Sequence, residues 1–166
     1  MPTLELECTI AAPLDAVWAF HEDVRGALVA LSPPSNRVEI ESVAPLPPQR
    51  GTRVAIRARD PFGRRIRWLA VYVEHQPPHE GPGGARRARF VDEAEQSPFA
   101  TWRHEHDFEA LAAAPALART RLVDRVTYTV PLGPLGRIAD RLFVSRQLRE
   151  MFRYRHEVTV RSLARA

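Results

Sequence analysis

The feature that most constrains the fold is the C-terminal segment, which contains no Pro and no Gly from Arg137 to Ala166. Its apolar residues recur at the spacing of an amphipathic helix with 3.6 residues per turn. At 1.5 Å per residue such a helix is about 40 Å long, roughly the width of a domain of this size. We therefore predict that the helix belongs to the core. Its apolar side contains these residues: Ile138, Leu142, Leu148, Met151 and Phe152.

Most of the remaining chain consists of stretches in which apolar and polar residues alternate, a pattern typical of half-buried β-strands. The predicted strands are 3–10, 36–43, 52–59, 65–76, 86–94, 100–110 and 119–130. Two short helices are predicted between the first two strands, one opening at Pro13 and one over 27–31. Clustered Pro and Gly residues predict a flexible loop at 77–85, and an Ala-rich stretch predicts a long hairpin loop at 111–117.

Consecutive strands without crossover helices form an antiparallel meander, and a single long helix must then cover its concave face. The predicted fold class is therefore α+β: a curved, seven-stranded antiparallel sheet wrapped around one C-terminal helix. One helix cannot fill the interior of so curved a sheet with its side chains. We expect a cavity, and apolar cavities with a few polar groups bind ligands.

Length and composition exclude several classes of protein. The 166 residues predict a single domain over 1–166. All 24 basic residues are Arg, but 20 acidic residues are interleaved with them, so the net charge is only +4 and nucleic-acid binding is not favoured. No apolar run is long enough to span a membrane, and no secretory signal is predicted. The lone Cys8 suits a reducing cytoplasm.

Two neighbouring strands each carry polar side chains on the face that is otherwise apolar. His104 and His106 alternate in phase with Trp102, so both imidazoles should point inward. On the next strand Asp124 and Tyr128 have the same phase. A hairpin centred in 111–119 places Asp124 opposite His104 or His106, and Tyr128 near Trp102. Opposed Cβ atoms lie roughly 5 Å apart, close enough for a His–Asp hydrogen bond.

This cluster has three interpretations. The first is structural, in which Asp124 and one His neutralise each other inside the fold. In the second, the cluster binds the polar head of a ligand, whose apolar body contacts these residues: Trp68, Tyr72, Trp102 and Phe152. The third is acid–base catalysis, in which His104 or His106 carries the proton and Asp124 orients the ring.

Two His and one Asp also match a facial metal triad by residue type. Because no further carboxylate is evident beside them in the sequence, we predict no metal and no cofactor. The ordinary explanation of Arg155 and His156 is the favourable position of cations near a helix C-terminus. His21, His75 and His79 receive no predicted role.

Four stretches resemble motifs of the SRPBCC superfamily, also called START-like or Bet v 1-like, and of its bacterial ligand-binding subgroup. They are 10–18 (IAAPLDAVW), 97–108 (SPFATWRHEHDF), 124–128 followed by 131–133 (DRVTY and PLG) and 146–156 (RQLREMFRYRH). The resemblance covers essentially the whole chain. It implies the helix-grip fold, with a deep pocket between the sheet and the long helix.

We expect non-covalent binding of a small hydrophobic or amphipathic molecule, such as a lipid, isoprenoid, quinone or aromatic polyketide. The polar end of its pocket would be formed by these residues: His104, His106, Asp124 and Tyr128. The alternative is a polyketide cyclase or dehydratase-like enzyme that uses the same polar cluster. A further expectation is a homodimer through the second apolar face of strand 65–76, which carries Leu69, Val71 and Val73.

Overall fold

Seven antiparallel strands form one curved sheet in the computed structural model, which describes residues 1–60, 62–111 and 118–164. The strands are β1 (Thr3–Ile10), β2 (Glu39–Ala44), β3 (Arg53–Arg59), β4 (Arg65–Glu80), β5 (Arg86–Gln96), β6 (Thr101–Leu111) and β7 (Arg119–Thr129). Their spatial order is β1-β7-β6-β5-β4-β3-β2, so β2 to β7 form a meander and β1 pairs with β7. The predicted fold class is confirmed. The predicted loop residues 112–117 lie outside the described part of the chain.

Two short helices, α1 (Leu14–Glu22) and α2 (Val24–Ala30), connect one edge strand of the sheet to the other, as the sequence predicts. Asp23 separates them, and its side chain accepts a hydrogen bond from the backbone amide of Gly26, which caps the start of α2. Because α1 packs against strands β4 to β7, it closes one end of the concave face.

The C-terminal helix consists of α3 (Gly133–Ala139), a π-helical turn (Asp140–Val144) and α4 (Ser145–Leu163). The backbone remains helical through both junctions. Ser145 Oγ donates a hydrogen bond of 3.0 Å to the carbonyl oxygen of Asp140 within the wider turn. In the part of the chain that the structure describes, no helix combines the length and the apolar character needed to cross a membrane.

The prediction that the apolar side of this helix is continuous is wrong for its first half. Leu148 and Phe152 are buried against the sheet, whereas Ile138 and Leu142 are 57% and 75% exposed. A π-helical turn contains an additional residue, which shifts the helical pattern by about 100°. The apolar residues of α3 consequently face away from the surface on which α4 packs.

The segment predicted as a flexible loop at 77–85 is strand over its first four residues. Strand β4 extends to Glu80, and only a short 3₁₀ turn at Pro82–Gly84 separates it from β5. The pairing of β4 with β5 is interrupted after Gln76, and the two prolines that follow lie in a β-bulge. Proline is tolerated in a bulge because its missing N–H is not needed for the ladder.

The outward face of the sheet carries alternating arginines and acidic residues. Arg89 at its centre forms ion pairs with Glu74, Glu105 and Asp107. The local pairing of opposite charges agrees with the interleaved composition. The second apolar face of β4 is half-buried on this outward side, and a homodimer through it stays a prediction.

Trp18 joins α1 to the sheet. It is 5% exposed, and its ring meets those of Phe90 and Phe108 edge-on at centroid distances of 6.0 and 5.8 Å. Buried aromatic rings of this size contribute strongly to the free energy of unfolding through apolar contact.

We expect Trp18→Ala to lower the free energy of unfolding by about 3–5 kcal/mol, because it removes apolar contacts and leaves a cavity. Chemical denaturation followed by circular dichroism measures this change. The matched control is Val29→Ala on α2, where the side chain is 58% exposed, and we expect a change of about 0.5 kcal/mol or less. Equal losses in the two variants would contradict the assigned role of Trp18.

Candidate ligand cavity

A cavity of about 960 Å³ lies between the concave face of the sheet, helix α2 and helix α4. Its wall is mainly apolar. Contributors from the sheet and from α4 include these side chains: Val54, Ile56, Trp68, Tyr72, Trp102 and Phe152. The rings of Trp68 and Trp102 meet edge-on at a centroid distance of 5.0 Å. The space beneath the long helix that the sequence predicts is therefore present.

His104 and His106 also line this cavity, together with the four aromatic residues that the sequence places there. Asp124 and Tyr128 do not form its surface. Both are buried, and they lie one layer behind the wall. The predicted polar end therefore has a layer of imidazoles that lines the cavity and a second layer behind it that does not.

Asp124 on β7 is the centre of the polar cluster and is only 3% exposed. His104 Nε2 donates a hydrogen bond of 2.9 Å to Asp124 Oδ1. From helix α4, His156 Nε2 donates a hydrogen bond of 2.7 Å to Asp124 Oδ2. One carboxylate thus connects β6, β7 and α4, and the predicted His–Asp contact is confirmed.

His106 Nδ1 lies 2.8 Å from the same oxygen of Asp124 that His104 contacts. Its direction is poor for a hydrogen bond, and among the described residues this nitrogen has no aligned partner. The contact is therefore mainly an electrostatic one. The ring of His106 is held between those of Phe90 and His104, at centroid distances of 3.9 and 3.7 Å.

Asp92 is a second carboxylate in the cluster, and it faces the opposite sides of the two imidazoles. Asp92 Oδ2 lies 3.5 Å from His104 Nδ1 and 3.5 Å from His106 Nε2. Its side chain is 13% exposed and lines the cavity. Each of the two rings therefore lies between a buried carboxylate behind the wall and a second carboxylate at its surface.

The strand register explains why these groups meet. Asp92 on β5 is directly opposite His104 on β6, and His106 on β6 is directly opposite Asp124 on β7. Because alternate residues of a strand point to the same face, all four side chains lie on the concave side of three adjacent strands.

Tyr128 joins the sheet to the C-terminal helix behind the cavity. Its hydroxyl donates a hydrogen bond of 2.7 Å to Asp140 Oδ1 in the π-helical turn. Burial and this hydrogen bond raise the pKa of Tyr128 above its ordinary value. Its contribution to the cavity is therefore to hold the start of α4 in place.

Solved structures of several proteins share this arrangement. Protein TTHA0849 from Thermus thermophilus is 20% identical, with a TM-score of 0.59 over 97% of this chain and 99% of that chain. The Bet v 1 allergen Ara h 8.0201 is 14% identical, with a TM-score of 0.53 over 96% and 97% of the two chains. The di-domain aromatase/cyclase StfQ from the steffimycin biosynthetic pathway is 14% identical, with a TM-score of 0.64 over 98% of this chain and 51% of its own.

This chain has the helix-grip fold. The fold implied by the resemblance of its motifs to the SRPBCC superfamily is thereby confirmed. No family model matches the sequence. No curated protein matches it either. At sequence identities of 20% or less, the likeness to these solved structures shows the fold of this chain and does not identify a ligand.

In this helix-grip fold the neighbouring titratable groups have pKa values that are pushed apart. Burial alone would raise the pKa of Asp124, but the charge of His106 and the imidazole hydrogen bonds hold it well below its usual range. Burial lowers the pKa of His104 to about 4, and the charge of His106 acts in the same direction. Burial also opposes the charged form of His106, but the charges of Asp124 and Asp92 outweigh it and raise its pKa.

His156 and His21 complete the set of buried imidazoles near the cavity. Burial by itself would lower the pKa of His156, but the hydrogen bond to Asp124 and the contact with Cys8 outweigh it and raise the pKa to about 9. Burial lowers the pKa of His21 to about 4, although its Nδ1 donates a hydrogen bond of 2.8 Å to the carbonyl oxygen of Val17.

Sequence reasoning missed three residues of this network: Asp92, His156 and Asp140. Asp92 has the same strand phase as Phe90, and this signal is present in the sequence. His156 follows Phe152 by four residues on one helix, so the two share a face. Asp140 lies in the π-helical turn, which no pattern in the sequence predicts.

We expect the thermal unfolding midpoint to be highest near pH 6.5 and to fall on both sides. Below pH 6.5, His21 and His104 become protonated in the unfolded chain but stay neutral in the folded chain until about pH 4. The free energy of unfolding therefore decreases as the pH is lowered. Above pH 6.5 the folded chain holds a proton on His156 until about pH 9, so stability falls as pH rises. Thermal scans by circular dichroism across this range measure the effect.

The substitution His21→Gln tests whether a buried neutral imidazole causes the loss of stability below pH 6.5. It should reduce the loss of stability between pH 6.5 and pH 4 by about 1.4 kcal/mol per pH unit, the contribution of one buried neutral imidazole. His79 is an exposed histidine on β4, and His79→Gln should leave the slope unchanged. A midpoint that stays constant from pH 6.5 to pH 4.5 would exclude this account.

Proposed function

We propose that this protein binds a small hydrophobic or amphipathic molecule, without covalent chemistry, in the cavity between the sheet and helix α4. The observation that carries the proposal is an apolar cavity of about 960 Å³ with imidazole and carboxylate groups on its wall. Ligand cavities of about 300–1,000 Å³ enclose molecules of drug size, and this one is at the upper end of that range. A lipid, an isoprenoid, a quinone or an aromatic polyketide fits such a volume.

The two ends of the cavity favour different parts of such a ligand. The aromatic wall around Trp68 and Trp102 suits a planar ring or a branched hydrocarbon, because both indole rings offer large apolar surfaces to the cavity. Asp92 and His106 together offer a hydrogen-bond acceptor and a donor. A hydroxyl, phenol or carbonyl head group is therefore the expected partner of the polar end.

A fluorescent amphipathic probe, anilinonaphthalene sulfonate, tests the cavity directly. We expect Ala70→Phe to weaken its binding at least about tenfold, because Ala70 lines the cavity and the added ring fills it. Fluorescence titration at neutral pH measures the dissociation constant. The matched control is Val71→Phe, the next residue of β4, whose side chain has the opposite strand phase.

Equal probe affinity in the wild type and in Ala70→Phe would mean that the probe binds elsewhere. Native mass spectrometry of protein purified from several expression hosts gives the complementary measurement. A co-purified mass that is absent from Ala70→Phe and present in Val71→Phe supports the proposal, and its fragmentation identifies the ligand. A protein without any bound molecule in every host argues against a carrier role.

A second candidate function is an enzyme of the cyclase or dehydratase type, favoured by the opposed pKa shifts of His104 and His106. Adjacent groups whose pKa values are pushed apart can serve as a proton acceptor and a proton donor. In the elimination of water from a β-hydroxy ketone, the neutral ring of His104 would accept the α-proton and His106 would donate a proton to the departing hydroxyl. The C–H electron pair forms the new C=C bond as the C–O bond breaks, while Asp124 orients the imidazoles.

If the enzyme candidate is correct, the wild type accelerates the loss of water from an aromatic β-hydroxy ketone, followed by enone absorbance. His106→Gln should reduce the rate by about 10²-fold or more, the usual contribution of a general acid. The control His79→Gln should retain the full rate. No acceleration by a folded wild type would remove this candidate and leave the binding proposal intact.

A further inference from the structure

Three side chains on the cavity wall each place one possible metal ligand atom in a small group. They are the carboxylate of Asp92 and the rings of His104 and His106, and their donor atoms all lie within 4.8 Å of one another. Both imidazole nitrogens lie 3.5 Å from Asp92 Oδ2. Ligands of a tetrahedral zinc ion at about 2.0–2.1 Å are about 3.3 Å apart. The carboxylate–imidazole spacing is therefore close to that around a single small ion.

We propose that Asp92, His104 and His106 form a binding site for one divalent transition-metal ion, for which Zn²⁺ is the best match. Neutral imidazole and carboxylate donors suit zinc and its first-row neighbours, whereas magnesium and calcium prefer oxygen ligands throughout. Three protein ligands leave a fourth position open. Since all three side chains line the cavity, this position faces the space in which an organic ligand would lie.

The buried Asp124 supports the proposal because it holds both rings from behind. Its Oδ1 lies 2.9 Å from His104 Nε2 and 2.8 Å from His106 Nδ1. With protons on those two nitrogens, His104 Nδ1 and His106 Nε2 each keep a lone pair for a metal, and both lie 3.5 Å from Asp92 Oδ2. Metal-binding histidines commonly donate their second N–H to a carboxylate, as His104 does to Asp124, which fixes the tautomer and the ring orientation.

The strand register also makes the site rigid. The two histidines are two residues apart on β6, and Asp92 is the direct partner of His104 on β5. The ring of His106 is held by Phe90 at a centroid distance of 3.9 Å. Sites built on neighbouring strands hold their ligands more precisely than sites on loops.

The inference does not depend on the proposed function, because metal binding is measured without any organic ligand. The probe is Co²⁺, which reports tetrahedral coordination by visible absorption, followed by displacement with Zn²⁺. The protein is purified without a histidine tag and dialysed against a chelator. We expect one equivalent of Co²⁺ to bind, and Zn²⁺ to displace it and to raise the thermal unfolding midpoint.

Asp92→Asn should weaken Co²⁺ binding by about 10-fold to 100-fold or more and abolish the thermal shift with Zn²⁺, because it removes the anionic ligand while keeping the shape of the side chain. His79→Gln removes an exposed histidine of β4 and should change neither result. His106→Gln replaces Asp92→Asn as the test variant if that protein does not fold. Failure of the folded wild type to bind Co²⁺, or unchanged binding in the test variant, would overturn the proposal.

Discussion

The buried carboxylate of Asp124 is the constraint on which the rest of the structure depends. A carboxylate without solvent is costly unless it is paired, and here imidazoles from β6 and from helix α4 surround it. The same contacts hold α4 against the sheet. They also turn the second nitrogens of His104 and His106 toward the cavity, so one interaction determines both the packing of the helix and the chemistry of the wall.

The C-terminal helix packs against the sheet through α4 and not through the apolar side chains of α3. Leu148, Phe152 and His156 of α4 are buried, whereas the π-helical turn redirects the apolar side of α3 toward solvent. The hydrogen bond from Tyr128 to Asp140 holds that turn beside β7. The space that remains has an aromatic wall and a polar wall. This division supports the proposed binding of an amphipathic molecule, and the proposed metal ion would lie beside its head group.

Much of the fold could be predicted because strand alternation and helix spacing are local properties. The phase of Trp102, His104 and His106 correctly placed both imidazoles inside. The hairpin register correctly limited the partner of Asp124 to His104 or His106, and the sheet pairs it with His106. The bulge in β4 escaped prediction because clustered prolines are equally typical of a loop. The exposure of Ile138 and Leu142 was not predicted, because the spacing of 3.6 residues per turn was applied through the π-helical turn at Asp140–Val144.

The sequence by itself determined which residues face inward, since the period of two in strands and of 3.6 in helices follows from backbone geometry alone. Only the tertiary structure decided which inward residues meet. His156 is far from Asp124 in sequence, and Asp92 reaches the histidines from another strand, so their contacts depend on helix docking and strand pairing. The carboxylate that sequence reasoning did not find beside the two histidines is therefore a product of the folded sheet.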